Sequence, residues 1–496
     1  MAGFLKTLAI VACLTLPQMA EAARDKIALV IGMANYQFLP PLQNTLKDAN
    51  GMAQSLENIG FDVTLSLDST TQDMTRVLED FAFRSEVADL ALIYFAGHGV
   101  EVQGENFLLP IDVKASNNRD IQRQSASLKQ LLAAVDNARK MRIVILDSCR
   151  DNPLGDEIDL DTVAEAQAAS DQTRGGGGGM AAVDPDRGTL VAFAARDGQV
   201  ALDGTGDNSP YAEALMKKMA QPGLEISLMF RQVRDLVLEK TGNLQEPHTY
   251  GSLTGVPFYL SPADGGADSV GTSEAWSSMK PDQEEQLLAL ADLGDTRSML
   301  GLAYMRLNPN VGRFDPVAAV SFLQRAADAG APEAQFELAK LYERGTGVAA
   351  DPQKALELYQ AAALQNFPDA INDLGFLHHQ GGLGLSANPQ KAYTFFQRAA
   401  ELRHPQAQFN FAALIDDGLV PGKGPEEAAG FLYAALRSGS TDVLNLLSER
   451  PNMFKLETRR ALQNKLQEHK FYQGSIDGDF GPGTQRGIRR AYGLED

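Results

Sequence analysis

Cysteine is almost missing from this chain: 496 residues hold two, Cys13 and Cys149. That count excludes a disulfide framework, so ordinary apolar cores must hold the fold. Basic residues are also in deficit, 44 Lys and Arg against 64 Asp and Glu, for a formal net charge of −20. Without a basic surface to neutralise phosphates, nucleic acid is excluded as a partner class. Beyond the N-terminus no apolar run reaches the ~18 residues that a membrane-crossing helix needs, so no transmembrane helix is expected.

What is present begins with an export signal over residues 1–22. Lys6 supplies its charge, Leu8 to Leu16 its apolar core, and Ala20-Glu21-Ala22 an A-x-A cleavage site before Ala23. A lipoprotein signal ending at Cys13 is the second reading, ranked below because only six residues separate Lys6 from Cys13. The expected location is periplasmic or secreted. Either way one thiol, Cys149, stays free to react.

Residues 25–260 alternate apolar strands with amphipathic helices. Strands are expected at Ile27–Gly32, Phe61–Ser66, Leu90–Phe95, Ile143–Leu146, Thr189–Ala194 and Val256–Leu260. Helices are expected at Ala49–Ile59, Thr71–Phe83, Leu128–Ala138, Tyr211–Met219 and Ile226–Lys240. Continuous Val/Ile/Leu runs between helices indicate an α/β domain with a mostly parallel sheet covered on both faces. Residues 155–188, acidic and Ala-rich with Arg174 ahead of five glycines, read as a flexible loop; residues 261–282 read as a linker.

Then the period changes. Pro332-Glu333-Ala334 recurs as Pro368-Asp369-Ala370 and Pro405-Gln406-Ala407, a spacing of 36 to 37 residues. Helix pairs at that period form an all-α solenoid. The units over 287–440 resemble Sel1-like repeats, relatives of tetratricopeptide repeats, and imply protein partners. Residues 455–496 are expected to form a small helical domain. Its Phe471-Tyr472, Gly474, Ile476-Asp477-Gly478 and Phe480-Gly481 resemble a peptidoglycan-binding module, with Ala491-Tyr492-Gly493 in place of the usual ending. Peptidoglycan is thus a candidate partner, and Thr484 a candidate cap for the last helix.

The chemistry rests on two strand ends. Cys149 closes Ile143-Val144-Ile145-Leu146-Asp147-Ser148, and His98, 51 residues earlier, closes Leu92-Ile93-Tyr94-Phe95-Ala96-Gly97. Loops at the carboxyl ends of parallel strands converge on one crevice. There an imidazole can take the thiol proton and later protonate a leaving amine. The N–H groups of Gly99 and Cys149 are candidates for an oxyanion hole.

Ile31-Gly32 through Asn35-Tyr36, Leu46-Lys47-Asp48-Ala49, Ala96-Gly97-His98-Gly99, Asp147-Ser148-Cys149-Arg150, Asn208-Ser209-Pro210-Tyr211 and Gln245-Glu246-Pro247 together resemble bacterial metacaspases and orthocaspases. The resemblance implies a caspase-like three-layer sandwich with His98 and Cys149 as catalytic dyad. It also implies an acidic substrate pocket from Asp147 and Asp48, hence cleavage after Arg or Lys, and self-cleavage near Arg174. Two carboxylates suit a guanidinium especially well. Caspases proper cut after Asp and need a basic pocket.

No cofactor and no metal are expected. Many metacaspases respond to calcium, but Asp156–Asp161 lacks the ligand register of a calcium loop. His378 and His379 have no companion ligands and read as a solvated helix face; His248 reads as a loop residue near the site. Two other functions compete: a catalytically idle scaffold acting through the repeats, and a hydrolase of wall peptides.

Overall fold

Every second residue of strand β1 (Lys26–Gly32) faces the opposite side of the sheet, and both sides are buried. Ile27, Leu29 and Ile31 join a core with Met74, Leu78 and Phe81 of helix α2 (Thr71–Ser85), Ile121 of the short helix α3 (Asn118–Gln124), and Leu131 and Val135 of helix α4 (Leu128–Val135). Ala28 and Val30 join a second core with Met52 and Leu56 of helix α1 (Thr45–Asn58), Leu215 of α5 (Pro210–Met219) and Val233 of α6 (Ile226–Lys240). Each fully buried Leu or Ile contributes about 1.5–3 kcal/mol, so these two layers outweigh any polar contact described below. The arrangement is the expected three-layer sandwich.

The computed structural model describes residues 26–149, 188–196, 201–204, 206–251, 253, 257–261, 276, 279, 281–310 and 312–494. The expected leader with Cys13, Arg174 and the Asp156–Asp161 stretch lie outside the described residues.

Strands β2 (Phe61–Leu67), β3 (Leu90–Val102), β6 (Met141–Cys149), β7 (Thr189–Phe193) and β8 (His248–Gly251) complete the sheet, in the order β2-β1-β3-β6-β7-β8. All neighbours are parallel except β7 and β8. The expected final strand Val256–Leu260 is corrected. Pro257 has no N–H to give a ladder, and in its described part only Tyr259 pairs, in a single bridge to Glu225. The edge position goes to β8, whose alternating half-exposed residues suit an edge. Two short strands, β4 (Glu105–Leu108) and β5 (Ala126–Ser127), carry too few residues for a periodic signal; β4 pairs with the part of β3 that runs past the sheet.

The solenoid consists of the helix pairs Thr296–Leu307 with Pro316–Asp328, Pro332–Arg344 with Pro352–Leu364, Pro368–Gln380 with Pro389–Glu401, and Pro405–Asp416 with Pro425–Arg437. Small residues let the helices close: Ala334, Ala355, Ala370, Ala392 and Ala407 are fully buried, and a Cβ on Gly375 would sit 2.7 Å from the Phe396 ring. Asp315, Asp351 and Asn388 cap the second helices ahead of proline, which starts a helix without losing a bond. One expectation about the repeats is corrected: His378 is buried, not solvated, its ring stacked on Phe395 at 5.3 Å.

In the C-terminal module, helices Leu456–Glu468 and Pro482–Tyr492 enclose a loop gathered by Gln463. The Gln463 amide nitrogen donates to Asp477 Oδ1, the Asp479 carbonyl and Thr484 Oγ1, and its oxygen accepts the Gly478 N–H at 2.7 Å. Thr484 is therefore tied to this loop; the N-cap position belongs to Gly481, which makes no side-chain cap.

The solenoid touches the α/β domain at both ends. Near its start Arg297 pairs with fully buried Glu225 at 2.7 Å, and Arg231 with Asp295 at 2.8 Å. Near its finish Arg437 pairs with Glu86, Arg403 with Asp136, and Arg139 donates to the carbonyls of Arg437 and Tyr492.

Candidate active site

Parallel pairing of β3 with β6 runs in register from Leu90 opposite Met141 to His98 opposite Cys149. The two residues thus stand across from each other on neighbouring strands, whose axes lie about 4.8 Å apart. Both are at the carboxyl ends, where the crevice of an open α/β sheet forms.

His98 is buried and held from three directions. Its Nε2 is 2.9 Å from the Pro40 carbonyl oxygen, which can only accept, so Nε2 carries the proton in the neutral ring. Its backbone N–H donates to the Tyr36 hydroxyl at 2.8 Å, and the Tyr36 ring lies 4.6 Å from the imidazole, tilted by 47°. That leaves Nδ1, buried and without a hydrogen-bond partner among the described residues. Burial lowers the His98 pKa below its usual value, with the Pro40 bond pulling the other way. The ring is accordingly neutral at pH 7 with an open lone pair on Nδ1, the form a general base requires.

Gly97 makes room for this packing, since a Cβ there would lie 2.8 Å from the Tyr36 hydroxyl and 3.0 Å from Met33 Cβ. The His98 carbonyl accepts the Leu109 N–H, so both backbone groups of His98 are used on one edge of β3. Strand alternation turns the N–H of the next residue, Gly99, to the opposite edge, toward β6.

The two expected pocket carboxylates come together. Asp147 lies two residues before Cys149 on β6, and Asp48 lies in the first turn of α1. Helix α1 approaches closely because residue 32 is glycine: a Cβ there would sit 2.6 Å from Ala49 Cβ. Asp147 Oδ2 accepts from the Tyr94 hydroxyl at 2.9 Å and the Ser209 hydroxyl at 2.7 Å. Asp48 Oδ1 accepts from Asn208 Nδ2 at 2.9 Å and the Ser209 N–H at 3.0 Å. Burial, reinforced by Asp48, pushes the Asp147 carboxyl up to about 7, and burial pushes Asp48 up to about 6. Among the described residues neither forms an ion pair. The two buried carboxyls are thus joined through one residue, Ser209, whose hydroxyl serves Asp147 and whose N–H serves Asp48.

Pro40, Tyr36, Tyr94 and Ser209 belong to the site, yet their roles were not read from the sequence. Ser209 carried the best signal, a serine before proline at a helix start. His248 lies on β8, its ring 4.7 Å from that of Tyr250. Among the described residues no group of three or more His, Cys, Asp or Glu could hold a metal ion. No described helix is long and apolar enough to cross a membrane.

Residues 25–258 match the caspase domain family; 296–330, 332–367 and 368–404 match the Sel1 repeat; and 455–491 match a putative peptidoglycan binding domain. Over 128 residues the chain is 29% identical to the human mucosa-associated lymphoid tissue lymphoma translocation protein 1, covering 26% of this chain and 15% of that protein. It is 30% identical over 139 residues to caspase-4 of Bos taurus, covering 26% of this chain and 33% of the relative. Against caspase-1 of Rattus norvegicus it is 24% identical over 259 residues, covering 50% of this chain and 62% of the relative. The chain thus spans less than two thirds of the length of each of these relatives.

Proposed function

We propose that this chain, with a caspase domain ahead of Sel1 repeats and a peptidoglycan-binding type of module, is an exported cysteine endopeptidase cutting proteins after Arg or Lys. The observation that carries the reading is the pairing of His98 with Cys149 across adjacent strand ends, beside two buried carboxyls that form no ion pair among the described residues.

In this mechanism the substrate's basic side chain enters between Asp147 and Asp48, placing the next carbonyl over Cys149. The thiol proton passes to His98 Nδ1, and the sulfur attacks the carbonyl carbon. The N–H groups of Gly99 and Cys149 stabilise the oxyanion, an effect worth several kcal/mol in acyl transfer. Collapse breaks the C–N bond as Nδ1 returns the proton to the departing amine. Water, deprotonated by the same nitrogen, then hydrolyses the thioester and frees Cys149. Throughout, the Pro40 carbonyl holds the Nε2 proton and steadies the imidazolium when it forms.

The repeats recruit protein partners in this reading, and the terminal module holds the enzyme near peptidoglycan. Arg174 is the self-cleavage site; intact masses of wild type and Cys149→Ala should differ by that cut, and equal uncut masses would remove autoprocessing.

The decisive experiment is labelling with a thiol-reactive peptide ending in Arg, with and without calcium. Labelling should be lost in Cys149→Ala and His98→Ala and should not occur with an Asp-ended probe. Absence of Cys149-dependent labelling would leave the scaffold reading, and preference for Asp would overturn the specificity.

A further inference from the structure

Strand β1 stops too early to serve His98. Its last residue, Gly32, pairs with Ala96, and Met33 gives its N–H to the Ala96 carbonyl at 2.9 Å. The next donor on that edge of β3 is the His98 N–H, where no β1 carbonyl remains to receive it. The Tyr36 hydroxyl takes that position, accepting this N–H at 2.8 Å and donating to the Leu109 carbonyl at 3.2 Å. Leu109 in turn gives its N–H to the His98 carbonyl at 3.0 Å, closing a ring of hydrogen bonds around the catalytic candidate's backbone.

The same loop, between β1 and α1, carries Pro40, whose carbonyl receives the Nε2 proton. One loop therefore grips His98 twice, by its backbone through Tyr36 and by its ring through Pro40. We propose that Tyr36 is a positioning residue that fixes the tautomer of His98. Its hydroxyl sets the distance between loop and strand, and that distance decides whether the Pro40 carbonyl lies in line with Nε2. With the hydroxyl removed, the His98 N–H is a buried orphan and the loop loses its tie to His98 and Leu109, so the segment from Tyr36 to Pro40 can shift against β3. Nε2 then loses its obligatory acceptor, and part of the population carries the proton on Nδ1, where it cannot receive one from a thiol.

This inference rests on the proposed peptidase reading for its kinetic consequence, but the tautomer is measurable without substrate. In the full chain labelled with nitrogen-15 histidine, long-range nitrogen–proton NMR should show neutral His98 as the Nε2–H form. Tyr36→Phe should show a mixture of both forms, with kcat down about 10- to 100-fold, the usual effect of losing a supporting partner. KM should stay within about twofold, since the acidic pocket is untouched. Should Tyr36→Phe fail to accumulate, 3-fluorotyrosine at position 36 keeps the ring and weakens the acceptor; a shifted Nε2 resonance is then expected. A pure Nε2–H form in Tyr36→Phe, or an unshifted Nε2 resonance in the 3-fluorotyrosine protein, with kcat unchanged, overturns the role of Tyr36. A wild type with no peptidase activity but the expected tautomer change would overturn the peptidase reading alone.

Discussion

The Ser209 hydroxyl donates to Asp147 at 2.7 Å while also accepting the Ala212 N–H as the cap of α5. The start of a helix is thus tied to one of the two carboxyls proposed to bind the substrate's cation, and the charge of that pair depends on groups with elevated pKa values.

Substrate selection should therefore follow pH. With Asp147 held near 7 and Asp48 near 6, kcat/KM for Arg peptides should climb as pH rises through 6 to 7 and both carboxyls lose protons. Asp147→Asn should cut kcat/KM for Arg peptides about 100-fold, the loss expected for one charged hydrogen bond of about 3 kcal/mol. A stopped assay over pH 5 to 8 checks both.

The same shift makes a stability prediction of defined sign. The folded protein raises these carboxyls above their usual value near 3.8, so they favour folding when protonated. That contribution is present below about pH 4 and lost as pH rises through 6 to 7. Asp147→Asn removes the charge, so its Tm should exceed that of wild type by a few degrees at pH 8 and match it at pH 4. Equal differences at both pH values would contradict this.

For His98 the direction is opposite. Burial holds its pKa low, so the neutral base persists below the usual value near 6.5. The acid limb of kcat, measured on saturated enzyme, should fall at lower pH than the limb of kcat/KM for Arg peptides. Coincident limbs would mean that one group governs both.

Gly97→Ala should be costly although it adds one methyl group. The new carbon would meet the Tyr36 hydroxyl and Phe95 ring at 2.8 Å, and neither can retreat from a buried site. A loss of about 1–3 kcal/mol is expected from urea melts, with activity falling alongside.

Arg437→Ala should uncouple the domains. The guanidinium gives two hydrogen bonds to Glu86, at 2.8 and 3.0 Å, one to the Ala491 carbonyl, and lies over the rings of Phe83 and Phe471. Losing a largely buried pair costs about 3 kcal/mol. Calorimetry should resolve a separate, earlier transition for the C-terminal half; a single unshifted peak would deny the coupling.

Much of this was legible in the chain. The His98 and Cys149 segments are apolar runs ending in one reactive residue, a pattern that survives translation into any parallel sheet. The repeats declared themselves through proline and alanine at a fixed period. Pro40 could not be found that way, because it acts through a backbone carbonyl that every residue possesses. Tyr36 was visible as a residue but not as a ligand for a backbone N–H, since that needs to be known against where β1 stops. Val256–Leu260 misled because its apolar content outweighed one proline. Thr484 misled because Gln463 of the preceding helix and the Asp479 carbonyl of the loop, not the start of its own helix, claim its hydroxyl.

The contacts at the finish of the solenoid fall on Glu86, Asp136 and Arg139, just before Leu90 and Met141, where β3 and β6 begin. Those are the strands that carry His98 and Cys149 at their far ends. Force applied to the C-terminal module enters through Tyr492 and Arg139 at the foot of β6, and through Arg437 and Glu86 at the foot of β3. Strands bonded along nine matched positions resist sliding, so the feet that the C-terminal contacts hold and the two residues proposed to do the chemistry belong to one stiff ladder.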